Sequence, residues 1–92
     1  MPRNTKLKRQ IDEMVGRNIE RLRIKNGIDP KQLARGLGVT PGMIRLYERG
    51  ERGLNIAQLV WFADIFRVNL DEMVYGESQG RRIIPFTNMK IG

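Results

Sequence analysis

Arginine and lysine are the most abundant side chains of this sequence that can do chemistry. The 92 residues include 17 lysines and arginines against 10 acidic residues, which gives a net charge of +7. This excess of cations favours a polyanionic partner, through electrostatic steering and through release of the partner's counterions. Solubility alone remains the alternative explanation for each charged end of the chain.

The positive charge is concentrated at the two ends of the chain. Residues 1–10 carry four bases and no acid, whereas residues 11–76 carry ten bases and nine acids. Residues 77–92 add three bases and one acid. We therefore divide the chain into a basic N-terminal arm (1–10), one compact domain (11–76) and a short C-terminal tail (77–92).

Histidine and cysteine, which supply the common zinc sites and most nucleophile–base pairs, are both absent. Carboxylates and lysines remain as possible catalysts, but so short a chain has little room to build a pocket around them. We therefore expect no enzyme, no cofactor, no metal site and no small-molecule ligand.

Cysteine usage and hydropathy also bear on the location of the protein. Without cysteine there is no disulfide framework, so a cytoplasmic location is the default expectation. The longest apolar stretches, such as 59–63, contain about five residues and are far too short to cross a membrane. We expect neither a membrane partner nor a signal peptide.

The elements that must position the basic side chains are short helices separated by glycine-containing breaks. The first segment runs from Ile11 to Asn26, where Asn26-Gly27 forms a stop signal, and Gly16 is a weak point within it. Its apolar residues recur at helical spacing, at Ile11, Val15, Ile19 and Leu22. This pattern predicts an amphipathic helix.

Two capping signals predict a pair of consecutive helices in the centre of the chain. The Asp-Pro pair at 29–30 begins the second helix, with Gln32 placed to complete a capping box, and Gly38 ends it. The Thr-Pro pair at 40–41 begins the third helix, and Gly50 ends it. Two helices of about eight residues joined by so short a turn form a helix-turn-helix.

Two further helices complete the predicted domain. Asn55 begins the fourth and Asn69 begins the fifth, which Gly76 ends. The apolar residues at helical spacing in these segments are Leu59, Phe62, Ala63, Phe66, Leu70, Met73 and Val74. We therefore predict an all-α domain of five helices, without a β-sheet between residues 11 and 76.

The order and content of these segments resemble a known family. The phrases VGRNIERLR, QLARGLGVTPGMI and YERGERG are similar to the five-helix, lambda-repressor-like Cro/repressor domain, the XRE family of helix-turn-helix proteins. A small Ala34, a turn glycine at Gly38 and a core Ile44 stand in register with that family. The phrases IDEMVGRNI and LYERGERGLN are also similar to repressor-like regulators of alphaproteobacteria.

The resemblance implies a transcriptional regulator, with repression as the expected mode, that binds double-stranded DNA. Its third helix, 41–49, would enter the major groove as the recognition helix. Without the resemblance, charge and spacing predict a helical domain that contains a helix-turn-helix and has a polyanionic partner.

Within the recognition helix, the positions of Pro41, Gly42 and Leu46 match those that read base edges in phage repressors, with Met43 at the margin. Here Pro41 and Gly42 offer no side-chain hydrogen bond, and Leu46 can contact only apolar surface such as a thymine methyl. Arg45 is then the strongest candidate for a base contact. A phosphate contact and a solvated arginine remain its alternatives.

Phosphate contacts are expected from residues around the same helix. Arg49, at its C-terminal end, matches a phosphate-contacting position of the family. Lys31, Arg52 and Arg17 are weaker candidates, and each of them could simply be solvated. Thr40 could also contact a phosphate, although its capping role alone explains it.

Arg23 and Glu48 match a pair that forms an internal salt bridge in this family. Such a bridge would tie the first helix to the end of the recognition helix. Two independent surface charges are the alternative.

Trp61 and Ile65 lie one turn apart on the fourth helix, off its core stripe, so we expect an exposed apolar patch there. A homodimer would use such a patch, because repressor domains of this kind bind two half-sites. The tail residues Ile83, Ile84 and Phe86 would join this interface. Alternatively, the tail covers the patch within one chain.

A second function remains open on the same fold. The chain could be a protein-interaction module, such as an antitoxin or a coactivator-like partner, and the apolar face of Pro41, Gly42 and Leu46 favours this reading. The basic N-terminal arm opposes it. Salt-dependent DNA binding distinguishes the two functions.

Overall fold

Helices make up the fold of the part of the chain that the structure describes. This computed structural model describes residues 5–76. The helices are α1 (Thr5–Lys25), α2 (Pro30–Leu37), α3 (Pro41–Glu48), α4 (Ile56–Phe66) and α5 (Leu70–Tyr75). The predicted five-helix architecture is confirmed, and no strand occurs among residues 5–76. None of these five helices is both long and apolar enough to span a membrane.

The first helix is longer than the sequence predicted. It begins at Thr5 rather than Ile11, so the second half of the expected arm is helical. Leu7, one helical turn before Ile11, is half-buried and extends the apolar stripe. The side chains of Lys8 and Asp12 also pair at 2.7 Å across one turn. The sequence predicted a later start, at Ile11, because a single apolar residue among lysines and arginines, Leu7, does not form a recognisable apolar pattern.

Each of the four later helices begins with its predicted capping residue. The side chains of Asp29 and Asn55 accept backbone N–H groups, and the glutamine three residues later accepts from the cap's own N–H, which completes both capping boxes. Thr40 and Asn69 each cap with a single side-chain hydrogen bond. Loss of an N-cap costs about 1 kcal/mol, a large share of the stability of so small a domain.

The turn between α2 and α3 occupies only residues 38–40. Gly38 adopts the left-handed conformation, with φ of 81°, and its N–H donates to the Ala34 carbonyl at 2.8 Å. Ala34 is buried beside Leu33 and Ile44 in the core. The helix-turn-helix predicted from the two proline-containing caps is therefore present.

The core lies where α3, α4 and α5 meet α1. Its largest fully buried side chains are Ile19, Ile44, Phe62 and Met73, one from each of these four helices. Leu70, one of the apolar residues of the fifth helix, is 46% exposed. As the first residue of α5, it lies at the edge of a groove between α4 and α5.

The first helix crosses the C-terminal end of α3 at very short range. A Cβ atom at Gly16 would lie 2.6 Å from the Glu48 carbonyl oxygen and closer still to the Tyr47 carbonyl oxygen. Gly50, just beyond α3, has a φ of +72°, and a Cβ atom there would lie 2.6 Å from Glu13 Cγ. Gly16, the weak point of α1 as an isolated helix, is therefore what lets α3 rest on α1.

Arg23 and Glu48 form a salt bridge beside this crossing. Arg23 Nε donates to Glu48 Oε2 at 2.6 Å, and the two side chains are only 15% and 8% exposed. Arg23 Nη1 also donates to the Ile28 carbonyl at 3.0 Å. The pair therefore joins α1, the α1–α2 connection and the end of α3.

Removal of one partner would leave the other charge buried without compensation. We therefore expect Glu48→Ala to lower the free energy of unfolding by about 3–5 kcal/mol. Glu51→Ala is the matched control, because Glu51 is 58% exposed in its own ion pair and such pairs contribute about 0–1 kcal/mol. Denaturant titration of both variants measures the difference. Equal losses would contradict a stabilising buried bridge.

Candidate nucleic-acid interface

One face of α3 is directed to the core and the opposite face to solvent. Ile44 and Tyr47 are buried, while Gly42, Arg45 and Arg49 are exposed and follow the spacing of a single helical face. The remaining residues of α3 predicted to face DNA are half-buried: Pro41, Met43 and Leu46. Arg45 is the one exposed charged side chain within α3 itself.

Arg45 borders a shallow cleft where α3 meets α1 and the start of α2. Glu20 of α1, Pro30 of α2 and Glu48 of α3 also line this cleft. The Arg45 side chain forms no hydrogen bond or ion pair with another of residues 5–76. Its guanidinium is thus available to an external acceptor, either guanine O6 and N7 or a phosphate.

Arg49 follows α3 directly and pairs with Glu51. The Nε and Oε2 atoms lie 2.9 Å apart, and both side chains are 58% exposed. Because an exposed ion pair contributes only about 0–1 kcal/mol, a phosphate can replace Glu51 at small cost. Sequence reasoning missed Glu51 as the partner of Arg49, although its position two residues after Arg49 was a usable signal.

The weaker phosphate candidates lie on different parts of the surface. Lys31 is exposed in the first turn of α2, and Arg52 is exposed in the loop after α3. Thr40 Oγ1 accepts a hydrogen bond from the Met43 N–H at 3.1 Å, so capping already accounts for it. Arg17 lines a cleft between α1 and α5, which none of the other candidates borders.

The longer α1 brings further basic side chains to the end of α3. Lys8 and Arg9 line a shallow cleft together with Arg49 and Gly50. Lys8 is paired with Asp12 in this cleft, whereas Arg9 is exposed. Arg9 is therefore an additional candidate for a phosphate contact. The sequence could not identify Arg9 as such a candidate, because it placed Arg9 in the N-terminal arm (1–10), which has no predicted position relative to α3.

Two of the residues expected at a dimer interface, Trp61 and Ile65, lie within the part of the chain that the structure describes, and their side chains differ in exposure. Ile65 is 44% exposed, but Trp61 is half-buried. The Trp61 ring meets Phe62 edge-on with centroids 5.1 Å apart, and it lies so close to α2 that a Cβ atom at Gly36 would be 2.8 Å from its Cζ2. The expected exposure of Trp61 is therefore wrong. The other predicted interface residues lie outside the described residues: Ile83, Ile84 and Phe86.

Comparison with known proteins is consistent with this architecture. The helix-turn-helix family model matches residues 19–73, which include the C-terminal third of α1, all of α2, α3 and α4, and most of α5. No solved structure shows significant similarity to the chain.

Two proteins that are similar to this chain are both described as HTH-type transcriptional regulators. An uncharacterised HTH-type transcriptional regulator of Rickettsia conorii is 27% identical over 85 residues, covering 92% of this chain and 68% of the relative. Its counterpart from Rickettsia prowazekii is also 27% identical over 85 residues, covering 92% of this chain and 65% of the relative. The chain therefore spans about two thirds of the length of these proteins.

The family match extends over well more than half of the chain and includes the turn between α2 and α3. It agrees with the resemblance carried by Ala34, Gly38 and Ile44, and with the capped helices that surround them. The chain belongs to the XRE-type helix-turn-helix family of DNA-binding proteins.

Proposed function

We propose that the chain is a transcriptional regulator, acting as a repressor in the cytoplasm, that inserts α3 into the major groove of double-stranded DNA. The observation that carries the proposal is the solvent-directed face of α3 with its unpartnered Arg45. The net charge of +7 supports a polyanionic partner. The two relatives described as HTH-type transcriptional regulators support the regulatory role.

Base contacts and phosphate contacts fall to different residues in this proposal. Arg45, in the middle of the exposed face, donates to a guanine edge, and Leu46 contacts a thymine methyl. Arg49, Lys31 and Arg52 bind phosphates and fix the position of α3 along the groove. Because Pro41 and Gly42 provide no side-chain hydrogen bond, much of the remaining selectivity rests on DNA shape.

The role of Arg45 is tested by its effect on discrimination. Arg45→Ala should weaken binding to a selected site by about 1–3 kcal/mol and affect random duplex much less, because a base contact carries sequence information. Titration of both duplexes measures this difference. Lys25→Ala is the control, since Lys25 is an exposed base at the end of α1. Equal weakening on both duplexes would show that Arg45 contacts the backbone.

Arg49 should behave in the opposite way. Arg49→Ala should weaken binding to the selected site and to random duplex alike, and it should reduce the slope of log affinity against log salt by about one unit. Binding measured over a range of salt concentrations gives the slope. An unchanged slope would contradict a phosphate contact. Absence of salt-dependent binding by the unaltered chain would favour the protein-interaction function instead.

We also propose that the chain binds DNA as a homodimer, with exposed Ile65 of α4 in the interface. Dimerisation at micromolar concentration would allow two recognition helices to occupy two half-sites. Sedimentation should show a dimer for the unaltered chain and a monomer for Ile65→Lys. Ile24→Lys, at a position 62% exposed on α1, should remain dimeric. A strict monomer both on and off DNA would contradict the proposal.

A further inference from the structure

An open apolar groove lies between α4 and α5. Its apolar lining consists of Val60, Ala63, Val68 and Leu70. Val60 and Leu70 are 48% and 46% exposed, and Ile56, one turn before Val60, is 77% exposed. Burial of such side chains is favourable by about 25 cal/mol per Å² of apolar area, so an available apolar segment is expected to cover them.

We propose that the C-terminal tail of the same chain occupies this groove, with Ile83, Ile84 and Phe86 against its apolar lining. These residues form the densest apolar cluster of residues 77–92, in which Met89 and Ile91 are the other large apolar side chains. Ile65 is not among the groove residues, so a tail in the groove leaves the proposed dimer surface accessible. The contact is independent of DNA binding.

The length of the tail is compatible with this position. α5 contains six residues and is therefore about 9 Å long, and Leu70 at its start belongs to the groove. The seven residue steps from Gly76 to Ile83 span up to roughly 25 Å, so the chain can turn back along α5 with length to spare. Asn18 Nδ2 donates to the Met73 carbonyl at 2.9 Å and so holds the end of α5, from which the tail departs, against α1.

Charge complementarity favours the same occupant. Arg81 and Arg82 immediately precede the apolar residues of the tail. Asp64 and Arg67 line the groove, and Asp71 follows Leu70 at the start of α5, so two carboxylates lie at the groove against one guanidinium. Both aspartates are exposed, and neither forms an ion pair with another of residues 5–76. The two arginines can therefore pair with carboxylates beside the groove while the following residues enter it.

Paired cysteines in the full chain test the contact, because the sequence contains no cysteine of its own. Val60→Cys is combined in turn with Ile83→Cys, Ile84→Cys and Phe86→Cys, and oxidation is followed by non-reducing electrophoresis. At least one pair should close within a monomer about tenfold faster than its control. The control replaces Val60→Cys with Ile24→Cys, at an exposed position on α1.

Two results would overturn the proposal. Cross-linked dimers as the main product would show that a second copy of the chain covers the groove. Equal rates for the Val60 and Ile24 pairs would show that the tail does not reside there.

A second measurement avoids cysteine chemistry. Ile84→Asp in the full chain should release the tail and speed amide hydrogen exchange in α5, whereas Asn88→Asp should not. Unchanged exchange in the Ile84 variant would also count against the proposal. Neither experiment contains DNA, so their failure would leave the proposed DNA binding untouched.

Discussion

The close crossing of α1 over the C-terminal end of α3 is the contact on which the rest of the structure depends. It exists because Gly16 places no side chain between the two helices, so the carbonyl groups of Tyr47 and Glu48 lie directly against α1. The buried bridge between Arg23 and Glu48 holds the same end of α3. With its start capped by Thr40, α3 is fixed at both ends.

A helix fixed in this way can present side chains to DNA with little loss of conformational entropy on binding. The exposed face of α3 is sparse, with one unpartnered arginine in its middle and Arg49 at its end. Under the proposed function, the small side chains at Pro41 and Gly42 would let the helix backbone approach the bases closely. Under the proposed function, discrimination therefore depends on Arg45 and on the shape of the groove more than on a set of paired hydrogen bonds.

The sequence predicted what local chemistry decides and missed what depends on distant contacts. The starts of α2, α3, α4 and α5 were predicted because a cap involves only residues within three positions of one another. The burial of Trp61 was missed because it depends on contact with α2, about twenty-five residues away. The start of α1 was missed for a local reason, because Leu7 is surrounded by lysines and arginines. From the sequence alone Gly16 indicates only a weak point in α1, because the part of α3 that it contacts lies about thirty residues away. The same limit applies to Arg17, which was predicted to contact DNA but lines a cleft between α1 and α5.

The central claim is that α3 is positioned by a crossing that has no room for a side chain at Gly16. The most direct test compares the free energy of unfolding of Gly16→Ala with that of Gly42→Ala. Gly42→Ala is the control because it makes the same change in a helix, at a position where the nearest atom to the new Cβ is 3.8 Å away. Alanine is the better helix former, so Gly42→Ala should be neutral or stabilising by up to about 1 kcal/mol. Gly16→Ala should instead be destabilising by about 1–3 kcal/mol through overpacking. Equal stabilisation by both substitutions would contradict the claim.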